Sequence, residues 1–279
     1  MYKAKITTDA GKSFSFSYEN GVLFDISPLS GSTVNVGTSQ GFGQIGETVK
    51  ALTVGGVKRS ITGKILNEKT AREMLSALPA LSRGKLWFND TYYCDMVISR
   101  TPEISLRKTG ERIFSMQVYC DTPFWRHKNA TTYIVNGYTP AFSFPVIYDE
   151  HQFGVKTTGA FTNCINHGDV ESPIDCTFSA LSDVVGYGII NAATGKILKF
   201  DDVLYAGETV TIKRHNGIVT AEKTTADGVV NVLSLMTDDS ELLSLAVGDN
   251  VFKAIADEND EYLTIAVNVR PAYMGVIAS

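Results

Sequence analysis

Short, strand-length apolar segments cut off by turn residues recur through almost the whole chain, and that rhythm leaves room for little but a β fold. Phe14, Phe16 and Tyr18 alternate with Ser15 and Ser17, the period-2 pattern of a half-buried strand, and Gly21 ends it. Lys85–Phe88, Tyr92–Ser99 and Arg112–Cys120 read as further strands, separated by turns at Asn89-Asp90 and Lys108-Thr109-Gly110. In the second half the same reading predicts strands over 154–157, 175–179, 188–191, 197–200, 209–213, 251–256 and 262–269. Turns at Gly195, Gly207, Gly217 and Gly248 separate them. Many short strands at this spacing predict a β-sandwich there.

One segment breaks the rhythm. From Glu68 to Leu78, the residues Ala71, Met74, Leu75 and Leu78 fall at helical spacing and predict one amphipathic helix packed on a sheet. Asn67 and Thr70 are both good N-caps, the second with Glu73 in capping-box position, and Pro79 is the stop.

At 279 residues the chain is long enough for two domains, and a Gly- and Pro-containing stretch, Tyr133–Pro145, is the expected linker. The expected division is 1–137 and 138–279. Charge follows it: residues 1–135 hold 17 Lys and Arg against 11 Asp and Glu, the remainder 8 against 19. Such asymmetry fits two modules with different neighbours, or simply two differently solvated surfaces. Hydrophobic residues make up 44%, enough for two cores and far from the composition of a disordered chain. The opening residues turn polar before an apolar leader can form, and no run approaches the length of a membrane helix, so neither a cleaved leader nor membrane insertion is expected. Cys94, Cys120, Cys164 and Cys176 show no paired spacing and are expected to be reduced, buried thiols.

Between Ser27 and Gly56 the composition shifts to Gly, Ser, Thr and Val. Apolar residues here are too interrupted to form a core element, so a long loop or projecting hairpin is expected. Inside it, Gly41-Phe42-Gly43-Gln44-Ile45-Gly46 matches the dinucleotide fingerprint letter for letter. The physics of that motif needs a preceding strand and a following helix to hold the pyrophosphate, and the β-branched segment Glu47–Val54 ends in two glycines instead. No nucleotide site is expected. His127, His151, His167 and His215 are scattered, the acidic runs Asp238–Glu241 and Asp257–Glu261 lack calcium-loop spacing, and no nucleophile motif is present. No catalytic residue, cofactor or metal ligand is therefore nominated, and an enzyme is not expected.

The order of these features resembles the distal tail (Dit) family of long-tailed, siphovirus-type phages and prophages. The likeness is carried in the first half by Gly41-Phe42-Gly43-Gln44, Arg59–Ile65, the single helix, Gly84–Phe88 and Val118–Trp125. It continues with Asn166–Asp169, Pro173, Ile190–Gly195, Gly207–Ile212 and Leu245–Asn250. The resemblance implies a mainly β, two-domain protein: an N-terminal β-sandwich or barrel-like ring domain with one helix, and a C-terminal galectin-like β-sandwich. It further implies a homohexameric ring in the virion, at the tail tip, made in the bacterial cytoplasm. Such a ring joins the tail tube protein to the tail-associated tip protein and often holds a receptor-binding protein. DNA would only pass through, so a lumen without a Lys/Arg-rich lining is implied. The stretch of about 27–56 is the natural arm, with Phe42, Gln44 and Ile45 as candidate contacts to the next subunit. A second reading, a carbohydrate-binding module attaching the tail to host glycans, rests on the galectin-like fold and on Tyr148, Tyr187, Tyr205 and Tyr262; both tryptophans lie in the other half.

Overall fold

The computed structural model describes residues 2–136, 138–140, 154–156, 161–215 and 218–276. The chain divides into two units, 1–129 with 272–279, and 130–271.

In the first unit, strands β1 (Ala4–Thr8), β2 (Ser13–Phe16), β3 (Val22–Ser27), β4 (Val34–Ser39), β5 (Thr48–Val54) and β6 (Val57–Ile65) precede helix α1 (Glu68–Ala77). After it come β7 (Arg83–Phe88), β8 (Tyr92–Leu106), β9 (Arg112–Cys120) and β10 (Trp125–His127). The antiparallel sheet runs β2-β1-β7-β8-β9-β6-β3, with β10 continuing along β8 where β9 ends. The predicted alternation is visible in its burial: Phe14 and Phe16, Leu86 and Phe88, then Phe114, Met116, Val118 and Cys120 all face one core. Burying each large apolar side chain stabilises by about 1.5–3 kcal/mol. Gly84 in β7 is dictated by close approach, since a Cβ there would lie 2.0 Å from the Thr7 carbonyl oxygen of β1.

Asn67, not Thr70, is the N-cap of α1: its side chain accepts from the Thr70 backbone N–H at 2.7 Å. Ala71, Met74 and Leu78 are buried against β2, β6 and β8, whereas Leu75 of the predicted stripe is exposed. Thr70 takes its place in the buried face, its hydroxyl donating to the Asn20 carbonyl.

The second unit comprises β11 (Thr131–Val135), β12 (Tyr138–Pro140), β13 (Gly154–Lys156), β14 (Thr162–Asn166), β15 (Ser172–Ala180), β16 (Val184–Val185), β17 (Gly188–Asn191), β18 (Ile197–Lys199) and β19 (Val203–Leu204). It continues with β20 (Thr209–His215), β21 (Ile218–Thr225), β22 (Gly228–Asn231), β23 (Ser244–Leu245), β24 (Gly248–Ile255) and β25 (Leu263–Val269). One sheet runs β11-β25-β15-β20-β21-β22, with β23 against β15, and a second runs β14-β24-β17-β18. Alternate residues of both sheets, Ile174, Cys176 and Phe178 from the first and Ile189, Phe252 and Ala254 from the second, share one core. This is the sandwich the strand spacing predicts. The chain then returns to the first unit as β26 (Ala272–Tyr273), which pairs with β10.

The first of these units ends at Asn129, upstream of residue 137 where the sequence led us to expect the division. That position lies outside the described residues, but the start of the expected linker, Tyr133–Val135, is part of β11 and pairs residue for residue with β25. Long-range pairing thus claims a segment whose nearby Gly and Pro read locally as linker. The last residues belong to the first unit, because β26 adds to β10 and Val276 packs in that unit's core. His151, Tyr148 and most of 141–160 lie outside the described residues.

Candidate functional site

The Gly- and Ser-rich stretch contains a two-stranded hairpin, β4 and β5, that pairs with no other described strand. Every residue of both strands is exposed. Ser27 itself ends β3, so the departure from the sheet begins one residue later than the expected arm.

The two faces of the hairpin differ in chemistry. Directly opposed residues share a face, and the register pairs Val34 with Val54, Val36 with Leu52 and Thr38 with Val49. Strict alternation from Val54 and Leu52 would put Lys50 next on that face. A register shift between Gly37 and Thr38 inserts one extra residue in β5 and brings Val49 there instead. The result is one face carrying Val34, Val36, Val49, Leu52 and Val54, all exposed, opposite a face of Asn35, Gly37, Ala51 and Thr53. An isolated two-stranded hairpin is marginal in water, and an exposed apolar face on one is the kind of surface that docks on a partner.

The tip is built by Gln44. Its backbone N–H donates to the Gly41 carbonyl, its side-chain oxygen accepts from the Gly41 N–H at 2.9 Å, and its amide nitrogen donates to Thr48 Oγ1 at 3.0 Å. Gln40 adds a bond from its side chain to the Gln44 carbonyl. Gly43 and Gly46 take positive φ of 75° and 86°, a conformation that costs glycine little. This turn leaves Phe42 and Ile45 fully exposed. Of the three nominated residues, two present apolar surface to solvent and Gln44 is engaged inside the turn. The fingerprint glycines therefore shape a hairpin tip, and β5 rather than a helix follows them. Sequence reading missed Val34, Val36, Val49, Leu52 and Val54; the signal available was the paired Val-x-Val and Leu-x-Val spacing on either side of the glycines.

Where the hairpin leaves the sheet, Arg59 of β6 is fully buried. Its guanidinium donates through Nη1 to the Pro28 carbonyl and through Nη2 to the Pro123 carbonyl at 2.7 Å, and lies 4.5 Å above the Trp125 ring centroid. Trp125 is itself fully buried, and its indole N–H donates to the Leu29 carbonyl at 2.8 Å. Arg59 and Trp125 thus tie the segment entering the hairpin to the end of β9 and the start of β10.

In the second unit Lys223 is buried, with Nζ 3.0 Å from Asp202 Oδ2, 3.0 Å from Glu208 Oε2 and 2.6 Å from the Val203 carbonyl. Burial pulls its pKa down, but the two carboxylates outweigh that and leave it raised. All three ammonium protons have acceptors, so this is a closed structural network. Tyr187, one of the tyrosines considered for a sugar platform, is fully buried, stacked on Phe200 at 5.4 Å and hydrogen-bonded to Asp202. It is unavailable to a ligand; Tyr205 and Tyr262 are exposed, and Tyr148 lies outside the described residues. Among the described residues no group of three or more His, Cys, Asp or Glu side chains is placed to hold a metal ion, and no helix is long and apolar enough to cross a membrane.

The fold and this hairpin define a class: mainly β chains of two units, a single-helix sheet unit with an uncovered apolar arm, and a β-sandwich. Within it the chain has a Dit-like fold. It is similar to the crystal structure of the Dit protein (gp 19.1) of phage SPP1, described as a paradigm of the hub adsorption apparatus in phages that infect Gram-positive bacteria. The TM-score is 0.66 at 12% identity, covering 96% of this chain and 98% of that one. It is also similar to a chain of the phage P2 baseplate in its activated conformation with calcium, at a TM-score of 0.51 and 11% identity, covering 99% and 100%. No protein-family model and no curated protein sequence matches the chain. At these identities the likeness establishes the fold.

Proposed function

We propose that the chain is a structural component of a phage tail tip, in which copies assemble into a closed ring, of six subunits by analogy with the family it resembles. The ring connects the tail tube to the proteins of the tip and leaves a channel for DNA. The observation that carries this reading is the β4–β5 hairpin, with its aliphatic face and its Phe42 and Ile45 tip uncovered by its own unit. On a Dit-like fold, the occupant that fits is a neighbouring copy of the same chain.

Energetics favour such a use. Five aliphatic side chains, most of them about half exposed, contribute about 1 kcal/mol each on being covered, and the tip pair about 2 kcal/mol each. Their sum is comparable with the ~4–15 kcal/mol cost of association. A closed ring gives every subunit two such contacts, one given and one received. The function is mechanical, and no step of it needs a catalytic group. In tailed particles containing this chain, gold-labelled antibody raised against it is expected at one end of the tail. Label along the tube, or on the head alone, would contradict the proposal.

A further inference from the structure

Two of the four buried cysteines are held together in the first unit. Cys120 closes β9 opposite Met96 of β8, and Cys94 lies two residues along β8 from Met96, on the same face. Their sulfurs are 3.2 Å apart, about 1.2 Å from bonding distance. They sit at the joint where β8 exchanges β9 for β10 as its partner, beside the buried Arg59. The Arg59 Nη atoms are committed to the Pro28 and Pro123 carbonyls, while its buried Nε has no hydrogen-bond partner. A cation fixed there favours a thiolate.

From this geometry we infer that Cys94 and Cys120 are a redox-active dithiol, which a small peroxide converts to a disulfide joining β8 to the end of β9. The Cys120 thiolate attacks one peroxide oxygen, forming a sulfenic acid as the O–O bond breaks and hydroxide leaves. The Cys94 sulfur then attacks the sulfenyl sulfur, the S–O bond breaks and the second oxygen leaves as water. In sum, two thiols and one hydrogen peroxide give one disulfide and two waters. Local opening at the end of β9, where Cys120 is followed by the exposed Asp121, admits a reagent of this size.

The position of Cys120 at the end of β9, next to the exposed Asp121, gives it the attacking role, and the electrostatics run the same way. The Cys94 hydrogen bond, and next the Arg59 charge, hold the Cys120 thiol below its ordinary range, while burial pushes Cys94 well above it. For Cys164 and Cys176, in the second unit, burial is the leading influence and no arginine charge offsets it. Burial pushes Cys164 up to about 12 and Cys176 higher still. They serve as an internal control with inert thiols.

The test is exposure of the native full-length chain to hydrogen peroxide at neutral pH, followed by unfolding, alkylation of free thiols and peptide mapping. Alkylation is expected to fall from four cysteines to two, with a dithiothreitol-sensitive peptide joining Cys94 to Cys120. The pair should react about tenfold faster than Cys164 and Cys176. Cys120→Ala should abolish the linked peptide, while a Cys164→Ala, Cys176→Ala double variant should retain it. Four alkylatable thiols after treatment, oxygen added to Cys120 without a link, or oxidation spread equally over all four would each overturn the inference. The map of the unaltered chain decides the matter even if a substituted chain does not fold.

Discussion

Replacing Phe42 and Ile45 together by aspartate is expected to leave the chain folded and monomeric at concentrations where the parent forms rings. Both side chains are fully exposed at a turn whose hydrogen bonds come from Gln40, Gln44 and Thr48, so the folded monomer loses nothing it used. Exposed substitutions of this kind move stability by within about 0.5 kcal/mol. Each proposed contact between copies, in contrast, would lose two apolar anchors worth about 2 kcal/mol apiece and would also bury or leave unpaired two new carboxylates. A loss of about 4 kcal/mol per contact weakens it roughly a thousandfold. Sedimentation velocity reads the assembly and circular dichroism the unfolding midpoint. Rings that persist with both aspartates in place would remove the tip from the interface.

Trp125→Ala is expected to have the largest effect on stability. The indole is fully buried, donates to the Leu29 carbonyl, supports the Arg59 guanidinium and lies 6.0 Å from the Phe88 ring. Truncation leaves a cavity, an acceptor without its donor and a buried cation without its aromatic face. Large-to-small changes of this kind cost about 3–5 kcal/mol, before the polar losses are added. In differential scanning calorimetry the transition of the first unit should fall by about 10 °C or more. The transition of the second unit, whose core is a separate cluster, should stay where it is. Unchanged melting of the first unit would show that the Arg59–Trp125 arrangement contributes little.

Much of the fold is legible in the sequence because its strands alternate in the way half-buried strands must. Arg112–Cys120 and Gly188–Asn191 have the predicted bounds, and α1 differs only at its final residue and in the exposure of Leu75. What eluded the reading depends on partners distant in the chain. Val135 becomes core only because β25 lies beside it, and Ala272 and Tyr273 join the first unit only because β10 accepts a further strand. Arg59, set between Lys58 and Ser60, reads locally as a surface residue. Its burial is created by Pro28 and by Pro123 with Trp125, two segments distant in the chain that the fold brings to it.

The candidate site was half visible. Its place, its glycine-built tip and the exposed Phe42 and Ile45 follow from composition and turn chemistry. The aliphatic face of β4 and β5 was hidden by the extra residue in β5, which breaks the alternation that would have marked Val49 with Leu52 and Val54. The same sparseness that argued against a core element is what an arm requires: enough apolar surface to dock on a neighbour, too little to collapse on itself.

Proposed closure of identical subunits into one ring can be read from native mass spectrometry of the purified chain across a range of concentrations. A discrete particle of six times the 30.3 kDa chain mass is expected, with no ladder of larger species, because a closed ring leaves no free arm and no free docking face. A single 30.3 kDa species at every concentration, or an open-ended series of masses, would contradict it.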